Sequence, residues 1–339
     1  MSEPLNVGKY IFVNDEGELR CGWRVLVFVL LAAMAEMLLT GLIRVSATLF
    51  PSLAFLFREP AASENLSASQ LAYYGVLNVR DLVAVVIATA ICVRVLERRS
   101  FASVGFKLHR GWSRDFWIGS LLGAASLAIA AGIAAGAGSI NFVVQTTDAA
   151  QLARGFTIVL VFFLISGAKE ELIFRGFAFQ ALSHNLGGAA AIAITSIFFG
   201  LAHVSNDSAS AFSTINTILA GVWLGLAYLM TRSLWLAIAL HYSWNFVMVF
   251  VFGLPVSGYT MLGGMAWLRG SSGTPLWVSG GSYGPEGGAA ATAAVIISTL
   301  VIWKSGLFRP SEEMLAAIKP GKREPAFVSI ASRQEQDGE

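Results

Sequence analysis

Six polar side chains stand in stretches that are otherwise apolar. Glu170, Glu171 and Arg175 fall in "AKEELIFRGF" (168–177), His203 closes "FFGLAH", and His241 and Asn245 lie in "LHYSWNF". An ionisable group inside an apolar span is costly and points to function by default. The set has a coherent chemistry. A carboxylate and an imidazole together can deprotonate a water. A second imidazole and an amide can donate hydrogen bonds to a developing oxyanion. A guanidinium can hold a neighbouring carboxylate ionised and oriented. This inventory suits hydrolysis of an amide bond. Glu170, His203 and His241 could equally ligate zinc, with water in the fourth position, and their spacing does not separate the two readings.

Local geometry adds detail. Glu171 and Arg175 are four apart, share a helix face and can pair; the plain alternative is a structural ion pair. Glu170 points about 100° away from Glu171, with only Lys169 as a local basic neighbour, and Lys169 can snorkel. Phe199 and His203 share one face, and His241 and Asn245 stand one turn apart. The other histidines, His109 and His184, fall in a basic loop and a short turn. No apolar segment carries H-E-x-x-H, G-x-S-G or G-x-G-D. Asp81 is the only aspartate near a span interior, which argues against an aspartyl dyad.

The elements that must hold these residues are membrane spans. The 339-residue chain is 55% hydrophobic and 13% charged, against about 25% charged in ordinary soluble domains, so an all-α polytopic bundle is expected. Spans of roughly 20 apolar residues are read at about 24–44, 72–96, 116–138, 156–181, 187–205, 214–232, 234–256 and 289–308. This gives a 1–23 N-terminal segment, a transmembrane domain over 24–308 and a polar tail over 309–339. Basic residues cluster before the first helix (Arg20, Arg24), between the second and third (Arg94 to Arg114), at Arg232, and after the last (Lys304 onwards), while the other loops hold only Arg44, Arg58, Arg154 and Arg269. The positive-inside rule then puts both termini in the cytoplasm and the Gly-rich 257–288 connection on the outer face. Gly119/Gly123, Gly132/Gly136 and Gly221/Gly225 offer small-residue packing faces. A net charge of +2 gives no reason to expect nucleic acid, and two cysteines cannot frame a disulfide scaffold. No signal peptide is expected, and the terminal "RQEQDGE" is not a prenylation box.

At "EELIFR" (170–175), "FGLAH" (199–203) and "HYSWN" (241–245) the chain resembles the CPBP intramembrane proteases, the CAAX-protease, bacteriocin-processing or Abi family. Its three blocks, Glu-Glu-x-x-x-Arg, Phe-x-x-x-His and His-x-x-x-Asn/Asp, are intact and in order, and the resemblance extends over about 95–256. It implies that Glu170 activates water with help from His203, that Glu171 and Arg175 support the site, and that His241 and Asn245 form the oxyanion hole. The family is often labelled metalloprotease, yet a metal-free glutamate mechanism is equally discussed; Asn245, a natural oxyanion donor and a poor zinc ligand, tips the expectation to the metal-free form. The resemblance further implies a multi-pass protein of a bacterial inner membrane and a protein or peptide substrate, which can carry a membrane anchor. Eukaryotic members remove the last three residues of prenylated proteins, and some bacterial members serve in bacteriocin maturation or self-immunity. Cleavage is expected near or within the cytoplasmic leaflet.

Two rivals remain on sequence grounds, a catalytically silent immunity or scaffold protein and a proton-coupled transporter; the three intact blocks favour the protease. One point resists. At about 1.5 Å per residue, His241 stands about 10 Å from the cytoplasmic end of its helix and His203 nearer 25 Å from its own, so a common site needs tilt or shifted boundaries. Glu36, mid-span with no basic neighbour in sequence, is expected to be protonated or hydrogen-bonded to the bundle, and Arg80 and Asp81 to form an interfacial pair.

Overall fold

In a computed structural model, residues 11–14, 17–56 and 66–318 are described. The N-terminal ten residues and the tail from 319 lie outside them. The long helices are α1 (Cys21–Leu49), α2 (Ala68–Val95), α3 (Trp112–Gly136), α4 (Ala149–Arg175), α7 (Ala211–Thr231) and α8 (Leu234–Phe246), the last continued by a π-helical turn over Val247–Val251. Between α4 and α7 lie two shorter helices, α5 (Phe177–Leu186) and α6 (Gly188–Leu201); α9 (Ala289–Lys304) and the short α10 (Glu312–Ile318) end the described chain. The expected all-α bundle stands. Among the described residues six runs are long and apolar enough to cross a membrane, α4 and α5 together making one of them. The fifth and eighth expected spans differ. Helix α6 has 14 residues and α9 has 16, giving ~21 and ~24 Å of helix against a hydrocarbon core of ~30 Å.

Helix starts follow from capping chemistry. Ser67 opens α2 as a reciprocal capping box with Gln70, and Ser210 does the same for α7 with Ser213. Asp148 accepts from the Gln151 backbone N–H at the start of α4. Because Ser67 begins α2, Arg80 and Asp81 sit well inside the helix rather than at its edge.

Small residues let the helices approach. A Cβ at Gly119 would lie 2.8 Å from Leu236 Cδ1, and one at Gly123 would lie 3.0 Å from Leu240 Cα, so these two glycines seat α3 against α8. A Cβ at Gly221 would lie 2.8 Å from Ser196 Cα, which brings α7 onto α6. Gly132 and Gly136 have no such neighbour among the described residues, so that pair seats no helix there.

The two ends of the bundle are built differently. At the basic end the 95–111 connection is pinned to the α7–α8 turn: Leu234 N–H donates to Gly105 O at 3.0 Å, and Tyr228 Oη donates to Val104 O at 3.1 Å. Arg24 bridges Glu18 and Glu97 there, at 2.5 and 2.7 Å. At the other end a small antiparallel sheet pairs β1 (Ile140–Val144) with β2 (Leu268–Ser272), Phe142 facing Gly270. The Gly-rich connection is thus a structured cap. Gln145 donates to the carbonyls of Gly263 and Ala266, both at 3.1 Å, and Asn216 on α7 donates to those of Glu286 and Gly288 at 2.9 and 3.0 Å.

Candidate active site

Helix α4 stops at Arg175 because the chain bends at Gly176, where an added Cβ would lie 3.0 Å from Leu172 Cδ1. The bend sends α5 off to form a hairpin with α6. Gln180 Nε2 on α5 reaches Ser103 O at 2.6 Å and Tyr228 Oη at 2.8 Å, which fixes it at the level of the α7–α8 turn. Six residues of α5, ~9 Å, therefore project beyond that turn. This projection reconciles the depths that conflict in the sequence. Glu170 and His203 lie about equally far from the hairpin tip, and the tip lies below the start of α8, which lowers both towards His241; the remaining few ångströms are taken up where the helices converge, Glu170 Oε2 lying within 4.0 Å of both imidazoles.

The sequence-predicted residues meet around one cavity of about 310 Å³, which Glu170, His203, His241 and Asn245 all line. Glu170 Oε2 stands 4.0 Å from His203 Nε2 and 3.8 Å from His241 Nε2. Those gaps are too long for direct hydrogen bonds and of the size one water bridges. Glu170 Oε1 accepts from Ser166 Oγ at 3.3 Å, one turn earlier on α4.

Glu171 and Arg175 lie behind this front, both fully buried. Arg175 Nη1 donates to Glu171 Oε1 at 3.1 Å and Nη2 to Gly221 O at 2.8 Å. Its guanidinium lies 4.8 Å from the centroid of the Phe199 ring, a cation–π distance. Glu171 also meets His241 Nδ1 at 2.8 Å, a contact between α4 and α8 that sequence spacing does not reveal.

These contacts give the two histidines different proton inventories. His203 Nδ1 faces Phe199 O at 2.7 Å and must donate to that carbonyl, so its neutral ring presents a lone pair at Nε2. His241 Nδ1 donates to Glu171 in the same way. Its Nε2 is a lone pair in the neutral ring and a donor in the imidazolium, with the Glu170 and Glu171 carboxylates on either side to balance that charge. Asn245, one turn further along α8, is buried, and its Oδ1 has no hydrogen-bond partner among the described residues. Its amide is not tied down by another side chain and faces the cavity.

Both Nδ1 atoms are thus occupied and both Nε2 atoms face Glu170, which is suitable donor chemistry for a metal. The spacing is less suitable. Donors around tetrahedral zinc with bonds of ~2.0–2.1 Å stand ~3.4 Å apart, whereas these stand 3.8 and 4.0 Å apart. Among the described residues no group of three or more His, Cys, Asp or Glu side chains is set to hold a metal ion. The set as arranged does not close around zinc.

Two readings of nearby charges change. Lys169 does not snorkel alone, since its Nζ lies 3.6 Å from Asp81 Oδ2. Glu36 does have a basic partner, Arg80 Nη2 at 3.1 Å, and the same nitrogen reaches Asp81 Oδ1 at 2.6 Å. Sequence reasoning also missed Ser166. Its i, i+4 spacing to Glu170 was the available signal.

Fold and centre define a class: a multi-pass membrane helix bundle with a half-buried carboxylate–imidazole site between its helices. Residues 152–247 match the family model described as Rce1-like, type II CAAX prenyl endopeptidase. The matched segment holds all six of the chemical residues, and the match supports an intramembrane endopeptidase in general terms. No curated protein and no solved structure matches the chain.

Proposed function

We propose that the protein is an intramembrane endopeptidase in which Glu170 and His203 activate a water for attack on a peptide carbonyl. The observation that carries this reading is the convergence of Glu170 Oε2 with the Nε2 atoms of His203 and His241 at 4.0 and 3.8 Å on a cavity roomy enough for a peptide segment. A water between Glu170 and His203 gives up its proton to the carboxylate or to the His203 lone pair as its oxygen adds to the carbonyl carbon. The oxyanion that forms takes hydrogen bonds from the Asn245 amide and from His241 Nε2–H in the imidazolium form. Collapse of the tetrahedral intermediate breaks the C–N bond, and the proton held by Glu170 or His203 passes to the leaving amine. Glu171 and Arg175 position rather than react: Glu171 fixes the orientation of His241, and Arg175 holds Glu171 against α7 through Gly221 O.

The test compares purified wild type with Glu170→Gln on a membrane-embedded peptide library read by mass spectrometry. New termini from wild type and none from Glu170→Gln, with both proteins equally folded, are expected. Equal cleavage by the two would remove Glu170 from the chemistry, and no cleavage by either would favour the silent immunity or scaffold reading.

A further inference from the structure

Helix direction sorts the connections of the bundle into two faces. The 95–111, 187, 232–233 and 305–311 connections lie at one face; those at 137–148, 202–210 and 252–288 lie at the other. None of the first group lines the catalytic cavity, whereas residues 203, 206, 254, 256–257, 259–263 and 286 of the second group do. Helix α2 contributes residues 74–81 and α9 residues 291–295, both from the half nearer the second face, while α7 contributes 216–224 and α4 162–170, which carry the lining down to mid-bundle. Glu170 and His241 form the floor. His241 is seven residues from Leu234, so the floor lies ~10 Å above the α8 start. The cavity therefore runs from mid-depth to one face, where Thr260 is exposed at its rim.

Charge identifies that face. Among the described residues Arg20, Arg24, Arg94, Arg98, Arg99, Lys107, Arg110, Arg114, Arg232, Lys304 and Arg309 flank the closed face, against Arg44, Arg154 and Arg269 at the open face. By the positive-inside rule the closed face is cytoplasmic. We infer that the active site takes its peptide from the non-cytoplasmic side of the membrane, as an apolar segment of an exported or membrane-anchored protein. This rests on the endopeptidase reading for the word substrate, though not for the side of access. It departs from the cytoplasmic-leaflet cleavage expected from sequence. The apolar preference comes from the walls: Trp223, Leu224, Trp244, Leu254 and Leu262 line the cavity, and its one basic side chain outside the histidines, Lys169, is engaged by Asp81 at 3.6 Å.

Two measurements test the inference and can fail separately. In full-length protein with Cys21→Ser and Cys92→Ala, single cysteines are placed at Thr260 on the rim and at Ser113, exposed at the basic face. A membrane-impermeant maleimide applied to intact cells should label Thr260→Cys at least tenfold faster than Ser113→Cys, and permeabilisation should equalise the two. The reverse ratio, or equal rates before permeabilisation, overturns the assignment of the side whether or not the protein is a protease. Terminal proteomics of cells carrying wild type or Glu170→Gln should then show wild-type-dependent termini in non-cytoplasmic or outer-leaflet segments. Such termini confined to cytoplasmic segments overturn the inference while sparing the protease reading. Their complete absence, with Thr260→Cys labelled from outside, overturns the protease reading and leaves the open face established.

Discussion

Removing the charge of Glu171 tests the positioning layer most directly. Glu171 Oε1 accepts from Arg175 Nη1 at 3.1 Å and from His241 Nδ1 at 2.8 Å, and neither Glu171 nor Arg175 is exposed. In Glu171→Gln the amide oxygen can occupy the Oε1 position, with the NH2 where Oε2 stands without a hydrogen-bond partner among the described residues. Geometry can persist; the negative charge cannot. Arg175 is then a buried cation left with Gly221 O and the Phe199 ring. Breaking a buried pair by removing one partner costs about 3–5 kcal/mol. The amide still accepts, so Glu171→Gln is expected near ~3 kcal/mol on that scale, and Arg175→Met, which also loses the Gly221 bond, near ~5. The double variant removes both charges and should cost about as much as Arg175→Met alone, a favourable coupling of ~3 kcal/mol. The assay is denaturant-driven unfolding in detergent for wild type, both singles and the double, with peptide cleavage measured alongside. Singles that unfold like wild type, or a double equal to the sum of the singles, would refute the buried-pair account.

Further outcomes follow from the same geometry. Asn245→Ala should lower kcat ~10²–10³-fold with KM little changed, as expected for loss of one oxyanion donor; a KM effect alone would move Asn245 from the oxyanion to ground-state binding. Activity of the purified enzyme should survive a strong chelator, and a loss restored by zinc would recast Glu170, His203 and His241 as ligands. Gly123→Ala should lower the melting temperature, because its Cβ would meet Leu240 Cα at 3.0 Å and overpacking of this kind costs about 1–3 kcal/mol. Gly132→Ala, with no neighbour within 4 Å among the described residues, should leave it unchanged or raise it.

What the sequence makes legible is what depends on local pattern. Apolar runs and basic flanks suffice for a polytopic bundle and its long helices, because span length is set by bilayer thickness. The i, i+4 pair Glu171–Arg175 is readable for the same reason, both partners lying on one helix. The contacts that turn six residues into a site are different in kind. Glu171 with His241, Arg175 with Gly221 O and Lys169 with Asp81 each join separate helices, and helix register across an interface is set by packing, not by either segment's own pattern. Apolar content also overstates α6 and α9. A helix shielded by its neighbours need not reach both membrane surfaces, so hydropathy reads a full span where the chain makes ~21 Å of helix. That shortness has a consequence for the chemistry. Because α6 ends at Leu201, His203 lies in the turn just beyond it, and its ring bonds back to the Phe199 carbonyl at 2.7 Å. In a helix continued through 205 that carbonyl, with its two lone pairs, would be shared between the His203 N–H and the ring. Here the His203 N–H goes to Gly200 O instead, and the Phe199 carbonyl serves the ring: its bond from Nδ1 is what leaves the Nε2 lone pair facing Glu170.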